Sequence, residues 1–303
     1  MTASRLALAV SHATKSHRGG VIALDDCSFE LAEGRVAALV GSNGAGKTTL
    51  LNLVAGVESV TAGSVVTPSQ SRVALVGQSQ PLYGWFSPTD MLDFGRRTNV
   101  VWDRRLAEGW LRAFDVPFDR GCRSLSAGQR THVALAVALG SRPDLLLLDE
   151  PFASLDPVVR VDAAGALLAI AAECGLTVVF STHVVSELVG IADHLLLLAD
   201  GRLLLSGDID DLLAQHTLCV GPRRDSVPFP GDVVLMSHTE RQTTAVIRRP
   251  VERTAPVAEH IVPAGWTTAR IALDDLIVSY LRTVAPADRT ARLRELVTAP
   301  EAQ

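Results

Sequence analysis

The apolar run Val36-Ala37-Ala38-Leu39-Val40 leads without a break into Gly41-Ser42-Asn43-Gly44-Ala45-Gly46-Lys47-Thr48. No other stretch constrains the chain as strongly. The pattern G-x-x-x-x-G-K-[ST] works only as strand, glycine loop and helix. Loop N–H groups cradle phosphates, the lysine reaches the β and γ oxygens, and the hydroxyl takes Mg²⁺. Lys47 is one of only two lysines in 303 residues, the other basic side chains being arginine. A guanidinium fork does not replace a compact ammonium at the end of such a loop. Residues 41–49, from Gly41 through Ser42, Asn43, Gly44, Ala45, Gly46, Lys47 and Thr48 to Thr49, therefore read as a nucleoside triphosphate site.

Composition narrows what the nucleotide is used for. The chain is long enough for one large or two smaller domains. It is 48% hydrophobic, yet no run approaches the 18 or so apolar residues of a spanning helix. The N-terminus lacks the charged, apolar, small-residue order of a signal peptide, so the expected location is cytoplasmic. A net charge of −5 argues against a nucleic-acid binder built on a basic face, and arginine pairs such as Arg223-Arg224 read as solvated surface. Four dispersed cysteines, with no C-x-x-C, fit neither a zinc site nor a disulfide framework.

Strands are expected at residues 5–10, 21–31, 35–40, 63–67 and 72–76, with a helix over 47–55 stopped at Gly56. Residues 88–139 turn helical, anchored by Trp102, Trp110, Leu111 and Phe114. The run 145–148 is four leucines, a strand buried on both faces. An Ala-rich helix over 157–174 starts at Asp156 and stops at Gly175. A strand over 177–181 and a helix over 184–191 follow. Residues 195–198 and 202–206 flank Asp200-Gly201, a hairpin signal. Alternating strands and helices predict an α/β fold with a mostly parallel sheet. Gly221-Pro222, Pro228 and Pro230-Gly231 mark a linker over 218–230. Beyond it come strands near 232–236 and 243–248, an amphipathic helix over 273–282, and a fraying helix from Pro286.

The leucine strand ends in Asp149-Glu150. An acid there sits beside the P-loop hydroxyl and holds Mg²⁺, and Glu150 is then placed to polarise an attacking water. The plainer alternative is a buried strand running into a helix-capping Asp-Glu-Pro.

Taken together, these motifs resemble the nucleotide-binding subunit of an ATP-binding-cassette (ABC) transporter of the bacterial exporter-like branch. Leu125-Ser126-Ala127-Gly128-Gln129 stands at the family's signature sequence, Gln78 at its Q-loop, Ser154-Leu155-Asp156 at its D-loop and His183 at its switch histidine. The likeness is close over about residues 4–217 and weak beyond. It implies a P-loop NTPase core, an N-terminal antiparallel β subdomain and an α-helical signature subdomain over about 87–139. A cassette over 1–217 would be followed by a small α+β extension over 231–303. It implies ATP and Mg²⁺, the metal held by Thr48, Gln78 and Asp149, with Glu150, His183 and Gln78 as the catalytic set. Two subunits would close head to tail around two ATP molecules. Ser126, Gly128 and Gln129 of each would cap the partner's γ-phosphate, and Asp156 would signal across the pair. A separate integral-membrane permease would hold the protein on the cytoplasmic face of the plasma membrane, and no direct nucleic-acid contact is implied.

Several positions depart from the family's pattern. Ala127 stands where a glycine is usual, and Thr131 and His132 replace Gln and Arg, a change expected to alter surface contacts. The adenine-stacking tyrosine is absent, His17 falling nearest to its place. The implied function is ATP-driven export of a drug-, antibiotic- or lipid-like substrate, because the short tail resembles that of exporter-branch ATPases. The alternative is a soluble ABC ATPase acting on nucleic acid or ribosomes. Only about 75 residues separate the P-loop from the signature, the length of a transporter-type helical lobe.

Overall fold

The computed structural model describes residues 5–68, 72–79, 82–185, 190–249 and 262–284. The chain forms two compact units divided between Asp210 and Asp211.

The first unit is built on a six-stranded sheet of order β5-β6-β7-β3-β8-β9. Its strands are β3 (Val36–Val40), β5 (Val73–Val76), β6 (Leu145–Asp149), β7 (Thr177–Thr182), β8 (His194–Ala199) and β9 (Arg202–Asp208). All neighbours are parallel except the β8–β9 hairpin, whose turn residues Asp200 and Gly201 both have positive φ, at 47° and 77°. That is the backbone twist a two-residue hairpin needs. Every residue of β3, β6 and β7 is buried, which explains why these segments read as unbroken apolar runs. Helices α1 (Lys47–Val54) and α5 (Pro157–Cys174) start and stop where the glycines predict. Gly46 caps α1 at φ 106° and Gly175 ends α5 at φ 63°.

A separate antiparallel sheet, β2-β1-β4, is formed by β1 (Leu6–Ser16), β2 (Ile22–Ala32) and β4 (Ala62–Val66). Strand β1 runs six residues beyond the expected end at Val10. His12 and Asp26 adopt left-handed φ of 50° and 54°, and the pairing register shifts between Val10 and Ala13. The bulge breaks the apolar alternation that marks a strand in sequence while the ladder continues.

The helical segment contains α2 (Pro88–Thr98), α3 (Arg104–Ala113) and α4 (Ala127–Gly140). Ser87 and Asp90 close a capping box on α2, and Asp103 caps α3. The Trp102 ring lies against Gly95 and Gly140, where any side chain would collide with it. Thr131 and His132 are not surface residues as expected: they are 0% and 3% exposed. The His132 ring stacks on Phe114 at 4.1 Å and 12°, beside Trp110. An imidazole among aromatics stays neutral, and burial pushes its pKa from 6.5 to about 4. Between those values the unfolded chain binds a proton that the folded chain refuses, so stability falls as pH drops through that window. His132→Phe should lose less melting temperature between pH 7 and pH 5 than the parent protein; equal losses would show that His132 is not responsible.

The second unit, from Asp211, is a four-stranded antiparallel sheet of order β11-β12-β10-β13. Its strands are β10 (His216–Pro222), β11 (Asp232–His238), β12 (Gln242–Arg248) and β13 (Thr267–Arg270), with helix α7 (Leu273–Val284) against β11. This differs from a domain ending at 217 and a linker over 218–230. Strand β10 runs to Pro222 and lies between β12 and β13. Gly221 does not break it; the absent side chain makes room for the buried indole of Trp266. Helix α6 (Ile209–Gln215) spans the division in sequence. Much of the helix expected over 184–191 and all of the one from Pro286 fall outside the described residues.

Candidate nucleotide site

The site gathers at the carboxyl ends of the parallel strands, where an open α/β sheet presents its loops. Strand β3 delivers the glycine loop and α1. Gly44 is left-handed at φ 81° with no heavy atom within 4 Å of where a side chain would begin, an open concavity in the loop. Gly41 and Gly46 are closed in by the backbone of Leu198 and Ala23, so the loop cannot carry side chains there. Lys47 is 6% exposed, and its ammonium donates to the carbonyls of Gly41 (2.8 Å) and Ser42 (3.1 Å). A buried cation whose hydrogen bonds go to neutral loop carbonyls, with one carboxylate at 3.8 Å, is matched to a further anion at the same place.

Strand β6 delivers the acids. The Thr48 hydroxyl donates to Asp149 Oδ2 over 2.7 Å. Neighbouring hydroxyl and carboxylate oxygens are the hard donors Mg²⁺ prefers, and this ion takes one or two protein oxygens plus phosphate and water. The residues therefore fit Mg²⁺ and a triphosphate.

Glu150 is the hub of the remaining contacts. Its backbone is left-handed at φ 48°, uncommon outside glycine. Its carboxylate accepts from the Gln78 amide (3.4 Å), meets His183 Nδ1 (3.2 Å) and lies 3.8 Å from the Lys47 ammonium. A recess of about 120 Å³ opens beside it, lined by Glu150, Ala153, Arg160, Thr182, His183 and Val184. That volume exceeds the roughly 30 Å³ share of one water molecule. The arrangement can hold a phosphate, seat a divalent cation and place a carboxylate on a water beside both.

Some predicted residues take partners other than those expected. Gln78 reaches Glu150 rather than the Thr48–Asp149 pair with which the sequence reading grouped it. Ser126 and Gln129 close a capping box at the start of α4, each side chain on the other's backbone N–H at 3.1 Å. Gly128 packs beside Leu155 and Ser154, and Thr131 Oγ1 meets Ser154 Oγ at 2.8 Å, so signature and D-loop segments touch within one chain. Asp156 occupies the N-cap of α5 without a side-chain cap bond and is exposed. His17 is exposed, 3.9 Å from Glu58. One residue escaped the sequence reading altogether. Ser181 bonds both acids, and its place beside Asp149 follows only from the β6–β7 register.

Fold and site together define a P-loop nucleotide-binding protein. The sequence model of the family described as "ABC transporter" matches residues 24–153. The aliphatic sulfonates import ATP-binding protein SsuB of Corynebacterium glutamicum is 37% identical over 205 residues, covering 66% of this chain and 81% of that protein. The SsuB protein of Escherichia coli (strain K12) is 37% identical over 207 residues, covering 66% and 80%. Among solved structures, cbiO1 from Clostridium perfringens superposes with a TM-score of 0.60 at 24% identity, covering 70% of this chain and 92% of that one. A dimeric ATP-binding cassette, MJ0796, bound to ADP and Pi, gives 0.61 at 21% identity, covering 67% and 98%. The chain belongs to the ATP-binding subunits of ABC transporters. It is an ATPase of that family, using ATP with Mg²⁺. No helix among the described residues is long and apolar enough to cross a membrane.

Proposed function

We propose that the chain energises transport by closing in pairs around ATP, and that the residues of the site divide the work as follows. Residues 41–49 wrap the phosphates, with Lys47 turning its ammonium from the loop carbonyls to the phosphate oxygens. Thr48, Asp149 and Gln78 would hold Mg²⁺, and the ion would supply charge neutralisation on the phosphates. Glu150 accepts a proton from water, and His183 keeps that carboxylate oriented and senses the γ-phosphate. Ser126, Gly128 and Gln129 present the N-terminus of α4 to the partner's nucleotide, a natural anion site. Asp156 faces the partner subunit, and His17 lies under the base. The single observation that carries this reading is Glu150 meeting Gln78, His183 and Lys47 one residue beyond the Thr48–Asp149 pair.

The permease would dock on the helical segment. Tyr83, Trp85 and Phe94 are 45%, 75% and 37% exposed in one aromatic cluster with Phe86. A groove of about 420 Å³ lined by Leu75, Gly77, Leu82, Met91, Val137 and Ser141, among others, opens between β5 and the helices. Exposed aromatic side chains favour a protein partner, and the groove, which they do not line, is mostly apolar.

The names of the matched relatives favour uptake, so the expected export branch loses its support over the matched two thirds of the chain. Export of a drug-, antibiotic- or lipid-like substrate, expected from the short tail, finds no support among these relatives.

The purified protein should hydrolyse ATP with a rate per subunit that rises with protein concentration as pairs form. A rate per subunit independent of concentration would contradict a paired site.

A further inference from the structure

Strand β7 ends in Ser181-Thr182-His183, and the function proposed above uses only the histidine. Ser181 is 0% exposed and stands in register with Asp149 on the neighbouring strand. Its hydroxyl donates to Asp149 Oδ1 over 2.6 Å and accepts from the Glu150 N–H over 2.9 Å. A hydroxyl has one proton to give, and here the carboxylate takes it while a lone pair receives the amide. The two bonds thus fasten the last residue of β6 and the residue after it to one side chain.

We infer that Ser181 is a positioning residue for ATP hydrolysis, holding Asp149 and Glu150 in their working orientations. Asp149 has two carboxylate oxygens. With Oδ1 tied to Ser181, Oδ2 is turned to the Thr48 hydroxyl. Glu150 has a left-handed backbone, which persists only where surrounding bonds over-determine it. The Ser181 hydroxyl is the acceptor of its N–H, and the carboxylate beyond meets Gln78, His183 and Lys47. Without that hydroxyl, Oδ1 of Asp149 loses its donor and the Glu150 N–H its acceptor. The Asp149 carboxylate is then free to rotate, and the Glu150 backbone can relax out of the left-handed region. The bonds of the Ser181 hydroxyl go to Asp149 and Glu150 and not to residues 41–49, so ATP binding without metal should not depend on Ser181. This inference rests on the roles assigned above to Asp149 and Glu150.

The test compares Ser181→Ala and Ser181→Thr in the full chain by steady-state ATP hydrolysis, by calorimetric ATP binding in EDTA, and by light scattering of the ATP-loaded protein. Ser181→Ala should lower kcat about tenfold to hundredfold, the range for losing an outer partner of a functional group. KM and ATP binding should hold at parental values, and ATP-bound pairs should accumulate because turnover is slow. Ser181→Thr keeps the hydroxyl and should restore kcat. Should the alanine variant fail to fold, Ser181→Cys carries the same expectation, since a thiol is a weak donor and acceptor. Parental kcat in Ser181→Ala would overturn the inference. So would joint loss of kcat and ATP binding, or a threonine variant as slow as the alanine one. Glu150→Gln measured alongside separates two failures: full turnover there removes the site reading itself, whereas an inactive Glu150→Gln beside an unaffected Ser181→Ala removes only the positioning role.

Discussion

Glu150→Gln should cut ATP turnover by about 10²- to 10⁴-fold, the usual contribution of a positioned general base. The substitution keeps the size and the hydrogen-bonding reach of the side chain while removing its ability to take a proton at neutral pH. Contacts to Gln78 and His183 can persist, because an amide both donates and accepts. The glycine loop, Thr48 and Asp149 are untouched, so ATP should still bind. With binding intact and hydrolysis removed, ATP-loaded pairs should accumulate and be visible as a doubled mass in solution. The charge change also spares Lys47, whose shortest contacts are to loop carbonyls rather than to Glu150. Turnover at the parental rate would remove Glu150 from the base role.

Lys47→Ala should fail one step earlier, at binding. The ammonium is the buried cation of the glycine loop, and hydrogen bonds to a charged partner are worth about 1.5–3 kcal/mol each. Losing one or two should weaken ATP affinity from about tenfold to more than a hundredfold by calorimetry. Lys47→Arg should also bind weakly. The site admits a compact ammonium between two carbonyls, and a planar fork with five donors does not fit that space. Unchanged affinity in both variants would mean that the phosphates lie elsewhere. The two substitutions therefore divide the site: one is blind to nucleotide, the other holds nucleotide and cannot use it.

The sequence is most informative where a motif is local. The glycine loop, the leucine strand with its two acids and the Asp200-Gly201 hairpin each carry their geometry in a few consecutive residues, and the structure has them as strand–loop–helix, buried strand and tight turn. What could not be read locally depends on pairing between distant segments. Ser181 is an ordinary strand residue until β7 is set beside β6. His132 looks like a polar residue on a helix surface until α3 brings Phe114 and Trp110 against it. Bulges mislead in the same way, since His12 interrupts the alternation of β1 without ending its ladder. At the C-terminal unit, Gly221-Pro222 has the composition of a break, and only the Trp266 ring filling the missing side chain shows why glycine stands in a paired strand.

The subunit's purpose is tested most directly by what it holds when it cannot let go of ATP. Glu150→Gln protein would be recovered from native membranes in mild detergent with Mg²⁺ and ATP, and its companions identified by mass spectrometry. A multi-span membrane protein at stoichiometric level, lost when ATP is omitted, is the predicted result, and the sequence of that protein would then separate uptake from export. Recovery with ribosomal proteins or nucleic acid and no membrane protein would contradict the transport account while leaving the ATPase site standing.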